Sequence, residues 1–388
     1  DVVFSFDLMF NNTEHPSTVP NLLSMVDPAG VTAKDEHTVH FKLTREFAPL
    51  PDLMAYQDVV IAGKATTFEN PVGSGPFKAT SFTANREAQL VRNDDYWGAK
   101  PGFKDLKIVY FQDEDAILNA LLSGQIDVAS QINGNQVQQV EGAGKQLLRS
   151  DAGSYPMIEM QIDQPPFDDV RVRHAFQLMV DRNRVVENAF GGEARLGNDY
   201  VAGGDTCPTP DIPQREQDLA KAKQLLEEAG VTQKEFTITT DGVFPGMMES
   251  AQVLAQGAAE IGITINVQKL PIADFLNKWG EWPFFINLSD PPYIVGVFDH
   301  FSATGVNNTT NFSFPEFDEL LKKIETTSDP AALCGLITES HQFIYENGAE
   351  IIAAIPQRIT AFDAKVQGLT ADKQGRSSYM FDGVTVTS

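Results

Sequence analysis

The stretch that decides the fold is Arg92–Ala129, which reads RNDDYWGAKPGFKDLKIVYFQDEDAILNALLSGQIDVA. Residues 106–111 (LKIVYF) form a short run rich in β-branched and aromatic side chains, which predicts a buried strand. Asp113 and Asp115 then offer cap and first-turn carboxylates for a helix that ends at Gly124. A second short strand follows. A helix that joins two strands in this way predicts a βαβ crossover in a mainly parallel sheet.

The same stretch resembles the block N-x-D-Y-W-G-x-K-P…D-x-x-A…L-x-x-G-x-I-D of the family 5 extracytoplasmic solute-binding proteins. These proteins are the dipeptide, oligopeptide and nickel receptors of ABC importers. Further matching blocks follow in the family's order along nearly all 388 residues. They are GSGPF at 73–77, AKQLLEEAG at 222–230, NFSFPEFDELL at 311–321, IPQR at 355–358 and VQG at 366–368.

A second long block, Gln164–Val186, resembles the family signature P-F-x-D-x-R-V-R-x-A-x-x-x-A-x-D-R. Asp168 or Asp169 is placed to cap a helix that begins there. The helix would carry one apolar face, made at spacings of three and four by Val172, Ala175, Phe176 and Met179. The neighbouring charges predict a fixed set of salt bridges that orients the helix, not a ligand site.

The composition is that of a long, acidic, folded chain. With 388 residues it exceeds one ordinary hydrophobic core, so two or more lobes are predicted. The balance of 53 acidic against 29 basic residues gives a net charge of −24. This charge argues against a nucleic-acid partner, because phosphate contacts need clustered lysines and arginines. No run of eighteen apolar residues occurs, so no segment is predicted to span a membrane.

The resemblance implies an α/β fold with the two-lobed, type II architecture of periplasmic binding proteins. Such proteins have mixed sheets flanked by helices, a small accessory lobe and a ligand cleft between the lobes. Residues 1–80 are then expected to be the remainder of the accessory lobe. Residues 81–160, with a C-terminal return at about 373–388, would form the first large lobe, and 161–372 the second. The resemblance also implies about eighty further residues before this chain begins.

The implied function is that of a substrate-binding receptor of an ABC importer. It would capture a peptide-like solute by hinge closure and deliver it to a membrane permease. The implied protein is a monomer in the periplasm or outside the cell, lipid-anchored to the membrane in some relatives. A nickel complex, an oligosaccharide or an opine-like compound is the alternative ligand on the same fold. A secreted peptide hydrolase is the rival from another functional class.

The sequence shows no catalytic or metal-binding constellation. It lacks the G-x-S-x-G, H-E-x-x-H and C-x-x-C motifs, and its six histidines are scattered. No enzyme activity, no cofactor and no metal site are therefore predicted. Cys207 and Cys334 could form one disulfide in an oxidising compartment or remain ordinary thiols, and their spacing matches no zinc pattern.

Candidate ligand-binding residues are concentrated between Phe275 and Phe301, where aromatic side chains surround an aspartate. The candidates are Asp290, Trp279, Trp282, Phe285, Tyr293 and Phe298. Such aromatics can stack on a solute but are also typical of a packed core, and roughly half are expected to be only that. In peptide-binding members of the family, a carboxylate in the corresponding loop meets the amino terminus of the ligand. The loop is shorter here, so Asp290 matches either that carboxylate or the structural Asp-Pro after it.

A second departure from the family concerns the class of ligand. Dipeptide receptors carry an arginine after the strand predicted here at Phe236–Thr240, and this arginine pairs with the peptide carboxylate. The corresponding residues Asp241–Ser250 read DGVFPGMMES and contain no arginine. A longer peptide, held as an added strand, needs no such residue. A cationic, sugar-like or metallophore ligand also remains open.

Overall fold

Several helices begin after a capping aspartate, as the sequence predicts for the two that follow Asp113 and Asp169. The computed structural model describes residues 1–14, 17–56, 58–67, 72–111, 113–150, 154–200, 207–289, 293–303, 305, 307–371 and 381–387. Its helices are α1 (Val2–Asn11), α2 (Val19–Leu22), α3 (Leu50–Met54), α4 (Glu114–Leu122), α5 (Val137–Gly142), α6 (Val170–Leu178), α7 (Arg182–Phe190), α8 (Leu219–Glu228), α9 (Met247–Glu260), α10 (Ile272–Leu276), α11 (Tyr293–His300), α12 (Pro315–Thr326) and α13 (Pro330–Asn347). Asp113, Asp169, Asp218 and Asp329 cap α4, α6, α8 and α13, because each side chain accepts a hydrogen bond from a first-turn N–H.

The strands form one larger mixed sheet and several small ones. They are β1 (Val26–Ala33), β2 (Val39–Leu43), β3 (Phe77–Thr83), β4 (Glu87–Arg92), β5 (Asp105–Val109), β6 (Val128–Ile132), β7 (Gln146–Ser150), β8 (Tyr155–Met160), β9 (Ala194–Leu196), β10 (Glu235–Thr240), β11 (Thr264–Lys269), β12 (Phe284–Ser289), β13 (Glu350–Ile351), β14 (Ala354–Pro356), β15 (Arg358–Phe362), β16 (Val366–Gln367) and β17 (Thr385–Val386). Their spatial orders are β11-β10-β12-β8-β13, β6-β15-β7, β3-β4-β5, β1-β2, β14-β9 and β16-β17.

The five-stranded sheet is the centre of the predicted second lobe. β10 runs parallel to β11 and β12, whereas β8 runs antiparallel to both β12 and β13. All six residues of β8 are buried, as expected for a strand covered on both faces. Apolar residues of α6, α7, α8 and α9 join the sheet in one hydrophobic cluster. Its rings pack edge to face, with the centroid of Phe176 5.0 Å from that of Phe236 and 5.4 Å from that of Phe284.

The βαβ prediction for the opening stretch is wrong. β5 pairs antiparallel with β4 in one sheet, and β6 pairs antiparallel with β15 in another, so α4 joins two sheets. Local sequence specified the order strand, helix, strand, but each strand takes its partner from a different part of the chain. The helix itself is confirmed, since it starts after Asp113 and ends before Gly124, whose φ of +75° suits glycine.

In several places, strands that pair in one sheet come from different predicted lobes. β8 lies in the five-stranded sheet, although the sequence-based division placed residues 155–160 in the first lobe. Among the described strands, β15 at Arg358–Phe362 is the one that pairs with both β6 and β7. Most of the predicted return at about 373–388 lies outside the described residues.

The amino-terminal segment packs on the last helices of the second lobe. Apolar residues of α1, α2, β1 and α3 form one buried cluster with α11, α12 and α13. Within it, the ring centroid of Phe312 lies 5.2 Å from that of Phe301 and 5.1 Å from that of Phe317. The predicted one-sided strand at HTVHFKL is confirmed, because β2 alternates half-buried and exposed residues.

A buried ion network joins Arg182, at the start of α7, to Asp199 and Arg215, and only Arg182 belongs to the block for which the sequence predicts salt bridges. Oδ2 of the fully buried Asp199 lies 2.5 Å from Nη2 of Arg182 and 2.8 Å from Nη1 of Arg215. Oδ1 of Asp199 accepts a hydrogen bond from the backbone N of Ile352 at 2.9 Å. The guanidinium of Arg215 also lies 4.0 Å from the ring centroid of Tyr345. Because each charge has several partners, the cost of desolvating it is offset.

Two buried carboxyl groups lie side by side in the five-stranded sheet. Glu159 on β8 pairs across the sheet with Glu350 on β13, and their exposed fractions are 1% and 2%. Oε1 of Glu159 accepts a hydrogen bond from Nδ2 of Asn287 at 3.0 Å, and Oε2 accepts one from Oγ1 of Thr309 at 2.6 Å. Burial raises the pKa of Glu159 to about 8 and that of Glu350 to about 7. The pair therefore retains protons under conditions where exposed glutamates are ionised.

The two cysteines form a disulfide, one of the two alternatives that the sequence left open. The bond joins Cys207 to Cys334 on α13, with the Cα atoms 5.3 Å apart and the two residues 127 positions apart in sequence. Both cysteines of the chain are used in this bond. It attaches the segment before α8 to the carboxyl-terminal half of the second lobe.

Candidate ligand cleft

A large cavity, of about 760 Å³, lies between the amino-terminal segment and helices α11 and α12. Residues between 18 and 58 form one side, and residues between 295 and 325 form the other. This volume is within the range of small-molecule binding sites. Its charged and aromatic lining includes Arg45, Phe47, Tyr56, Phe298, Asp318 and Glu325.

The amino-terminal side of the large cavity is positioned by the turn after β2. The backbone N of Thr44 donates to the carbonyl O of Met25 at 2.8 Å, and that of Ala48 donates to the carbonyl O of Glu325 at 2.5 Å. Phe47 lies between these two bonds, is 5% exposed, and has its ring centroid 5.3 Å from that of Phe298. The turn thereby holds an aromatic pair between the two sides.

The opposite side is positioned by the loop that joins α11 to α12. The carboxylate of Asp299 accepts hydrogen bonds from Nδ2 of Asn307 at 2.6 Å and from its backbone N at 3.3 Å. A Cβ on Gly305 would lie 2.1 Å from the carbonyl O of Asp299, so this position requires glycine. These contacts fold the loop back on α11 and keep Asp299 beside Phe298 in the cavity lining.

Charged side chains line both sides of the large cavity. Nη2 of Arg45 lies 2.9 Å from Oε1 of Glu325, and its Cζ lies 5.6 Å from the ring centroid of Phe47. Asp58 accepts a hydrogen bond from Oγ1 of Thr18 at 2.9 Å. Asp318 stands in the first turn of α12, where the free N–H groups of the helix favour a carboxylate. A bound solute would therefore meet both signs of charge beside an aromatic surface.

Three of the predicted ligand residues form a separate aromatic cluster around Phe275. The ring of Trp282 is stacked on Phe275, with centroids 6.4 Å apart and planes 7° apart. Trp279 and Phe285 lie 5.9 Å and 6.3 Å from the same ring. Nε1 of Trp282 also donates to the carbonyl O of Phe275 at 3.2 Å. These contacts attach α10 to β12, and the cluster does not line the large cavity.

The other predicted residues divide between the core and the large cavity. Tyr293 is fully buried, its hydroxyl contacts Oγ of Ser340, and its ring centroid lies 4.4 Å from that of His341. It belongs to the hydrophobic cluster of α11, α12 and α13. Phe298 is the one predicted aromatic that lines the cavity. Asp290 lies outside the described residues, so its contact with a ligand amine stays a prediction.

A second, smaller cavity lies where the two lobes meet. It measures about 60 Å³ and is lined by Glu114 of α4, the end of β6, Phe244, Pro245 and Arg358, among others. Phe244 and Pro245 belong to the segment that lacks the arginine of dipeptide receptors, so this segment presents apolar groups to the first lobe. Burial raises the pKa of Glu114, while a hydrogen bond with Asn133 opposes the rise. The cavity has room for only a few water molecules.

Two glycines allow the lobes to touch beside this smaller cavity. A Cβ on Gly134, which follows β6, would lie 1.8 Å from the carbonyl O of Phe190. A Cβ on Gly191 would lie 2.7 Å from Oδ1 of Asn135, and its φ of +59° also favours glycine. Nearby, Nε and Nη2 of Arg149 each lie 2.7 Å from a carboxylate oxygen of Glu193. The contact between the lobes therefore depends on two glycines, which have no side chain, and on the bidentate ion pair between Arg149 and Glu193.

The residues that line the large cavity were mostly missed in the sequence interpretation. Arg45, Asp318 and Glu325 come from segments far apart in sequence, and each is typical of an ordinary surface position. The alternation in HTVHFKL predicts the strand before Arg45, but nothing in it indicates that the strand end faces α12. In the described part of the chain, no group of three or more His, Cys, Asp or Glu side chains could hold a metal ion.

Sequence comparison identifies relatives of this chain. Residues 1–304 match the family model of the bacterial extracellular solute-binding proteins, family 5 (middle region). A Brucella ovis protein with the provisional name of ABC transporter peptide-binding protein is 29% identical over 284 residues, which cover 68% of this chain and 53% of that protein. The peptide transport periplasmic protein SapA of Salmonella typhimurium is 22% identical over 415 residues, which cover 98% of this chain and 75% of SapA. The chain thus spans about half the length of the Brucella relative.

Solved structures share the fold of this chain. DppA of Helicobacter pylori, in complex with the peptide STSA, has a TM-score of 0.83 at 20% identity, and the match covers 100% of this chain and 81% of DppA. NikA of Staphylococcus aureus, in complex with Ni(L-His)2, has a TM-score of 0.79 at 20% identity, with coverages of 96% and 81%. These matches establish the two-lobed α/β fold of periplasmic binding proteins. Since the family model also matches 304 of the 388 residues, the chain belongs to the bacterial extracellular solute-binding proteins of family 5.

Proposed function

We propose that this chain is the solute-capturing part of an ABC-importer receptor, which binds a peptide-like solute and delivers it to a membrane permease. The proposal is carried by the large cavity of about 760 Å³, which joins an aromatic surface to charged groups of both signs. A peptide presents a cationic amino end and apolar side chains, which are complementary to the carboxylates and the aromatic surface of the cavity. The family consists of binding proteins, and we propose binding without catalysis.

Hinge movement of the lobes is consistent with how the chain passes between their sheets, and it would open and close the smaller cavity, because the large cavity lies outside the contact between the lobes. β14 packs beside β8 of the second lobe, because Ile355 shares a buried cluster with Tyr155 and Met157. β15 begins two residues after β14 ends and lies between β6 and β7 in the three-stranded sheet of the first lobe. Gln357 is the single residue between them, and its N donates to the carbonyl O of Glu193 at 3.0 Å. We propose that Gln357 lies in a hinge, since such short crossings absorb the dihedral changes of lobe closure.

The proposed receptor is a monomer in the periplasm or outside the cell, with a lipid anchor as one form of attachment. Every helix in the described ranges is too short or too polar to cross a membrane. The proposed accessory lobe is residues 1–80. The proposed first large lobe is residues 81–160 with the C-terminal return at about 373–388, and the proposed second large lobe is residues 161–372. Following strand pairing, β8 is assigned to the second lobe and β15 to the first.

A thermal-shift screen tests the class of ligand. The protein is heated with di- to pentapeptide pools and, separately, with nickel–histidine complexes, oligosaccharides and opines. A ligand at a hundred times its Kd adds about 2.7 kcal/mol of stability, so its binding raises Tm. A rise with peptides is expected. A rise only with another class would show an alternative ligand on this fold, and no rise with any class would refute capture of these solutes.

A peptide hydrolase is the rival from another class, and mass spectrometry separates it from a receptor. The purified protein is incubated with the same peptide pool, and the masses are followed over time. Unchanged masses are expected. Products that accumulate in proportion to protein concentration would overturn the receptor proposal.

A further inference from the structure

The large cavity carries more negative than positive charge. Its described lining contains four carboxylates and two cationic groups: Asp58, Asp299, Asp318, Glu325, Arg45 and Lys322. Both cations already have carboxylate partners. Arg45 pairs with Glu325 at 2.9 Å, and Nζ of Lys322 pairs at 2.6 Å with Glu319, which is outside the lining.

Within the described ranges, the remaining carboxylates of the lining form no salt bridge, although Asp318 interacts at longer range with Lys322, and Asp299 with His300. Asp58 accepts from the hydroxyl of Thr18, and Asp299 accepts from the amide groups of Asn307. The half-buried Asp318 has no side-chain hydrogen bond or salt bridge within the described ranges. Lys322, one helical turn away, forms its direct salt bridge with Glu319 and interacts with Asp318 without a direct contact. A carboxylate beside apolar surface interacts more strongly with a cation than one in bulk water.

An apolar surface lies beside these carboxylates. The rings of Phe47 and Phe298 are 5.3 Å apart and tilted by 55°, and the buried Leu53 and Val295 adjoin them. An aliphatic stem can cover such a surface while its charged end reaches a carboxylate, as lysine and arginine side chains do. A cation close to the ring faces is attracted by them as well.

We infer that the large cavity selects solutes in which a positive charge adjoins an apolar stem, such as peptides with a lysine or arginine side chain, and that Asp318 binds this charge. The inference rests on the proposed function and names the solute class within it. Acidic peptides are disfavoured, because both cations of the lining are already paired and the surplus carboxylates repel a further negative charge.

Isothermal titration calorimetry on the 388-residue chain tests the inference with three peptides of equal length: Ala-Lys-Ala, Ala-Met-Ala and Ala-Glu-Ala. The lysine peptide should bind at least tenfold more tightly than the methionine peptide, and the glutamate peptide should bind least. Asp318→Asn should weaken binding of the lysine peptide about tenfold, as expected for loss of one charged hydrogen bond. It should change binding of the methionine peptide less than twofold.

Glu316→Gln is the matched control, since it removes the same charge from the first turn of the same helix but outside the cavity lining. It should leave all three affinities within twofold. Equal binding of the three peptides would overturn charge selection while leaving peptide capture intact. A lysine preference that survives Asp318→Asn would overturn the assignment of this residue. Binding of none of the three would overturn the inference, and the broader ligand screen then decides whether peptide capture fails with it.

Discussion

Replacing Glu159 by glutamine should flatten the pH dependence of stability. The side chain is 1% exposed, and its oxygens accept hydrogen bonds from Asn287 and Thr309. Glutamine has the same shape and is neutral at every pH. Its amide oxygen can accept from Asn287, and its NH2 can donate to the hydroxyl of Thr309. The substitution therefore removes the ionisable group while retaining both hydrogen bonds.

The magnitude follows from the raised pKa of Glu159. Because burial moves this pKa from 4.5 to about 8, the folded protein keeps a proton that the unfolded chain has already released at neutral pH. The stabilisation from this proton is complete below the unfolded pKa of about 4.5 and is lost progressively as pH rises to about 8. At about 1.4 kcal/mol per pH unit, the loss by pH 8 is on the order of 5 kcal/mol.

Urea unfolding followed by circular dichroism between pH 5 and pH 9 measures the effect. The free energy of unfolding of the wild type should fall across this range. Glu159→Gln should be close to the wild type near pH 5 and several kcal/mol more stable near pH 8.5. A smaller slope should remain from Glu350, whose pKa is raised to about 7. Glu260→Gln, at an exposed position on α9, is the control and should follow the wild-type curve.

Two outcomes would refute this reasoning. If the wild type and Glu159→Gln lose stability in parallel as pH rises, Glu159 does not retain a proton in the folded state. If the variant is several kcal/mol less stable even near pH 5, the hydrogen bonds of the carboxyl group matter more than its charge.

Three further predictions concern contacts between distant segments. Gly134→Ala should separate the lobes, because its Cβ would lie 1.8 Å from the carbonyl O of Phe190. Small-angle scattering should then show a larger radius of gyration, whereas Gly142→Ala, whose Cβ meets nothing within 4 Å, should not change it. Reducing the disulfide, whose cysteines are 127 positions apart, should cost about 5 kcal/mol in the chain-entropy treatment. Equal urea midpoints with and without dithiothreitol would contradict that value. Asp199→Ala leaves two buried arginines without their carboxylate and should cost about 3–5 kcal/mol in the same unfolding assay. A loss below about 1 kcal/mol would show that their other partners suffice.

Features that depend on neighbouring residues could be predicted from the sequence. Asp113 and Asp169 cap helices because a cap needs only an acceptor beside free N–H groups within three positions. The alternation of β2 is likewise local, since successive side chains of a strand point to opposite faces. The family blocks add the order of elements along the chain and hence the two-lobed fold.

Features that depend on pairing between distant segments could not be predicted in this way. The crossover around α4 was misread because β6 takes its partner from Arg358–Phe362. The aromatic concentration after Phe275 contains core residues and one cavity residue, and composition does not distinguish Tyr293 in the core from Phe298 in the lining. Arg45 and Glu325 lie 280 positions apart and meet only in the folded chain.

By itself, then, the sequence determined the elements, their caps, the acidic character and the family. Only the tertiary structure decided which strands pair, which carboxyl groups are buried together, and where the large cavity lies. The reason is physical. A cap or a strand alternation depends on dihedral angles and contacts within one turn of chain, whereas a cavity and a raised pKa depend on exclusion of water by segments that are far apart in sequence.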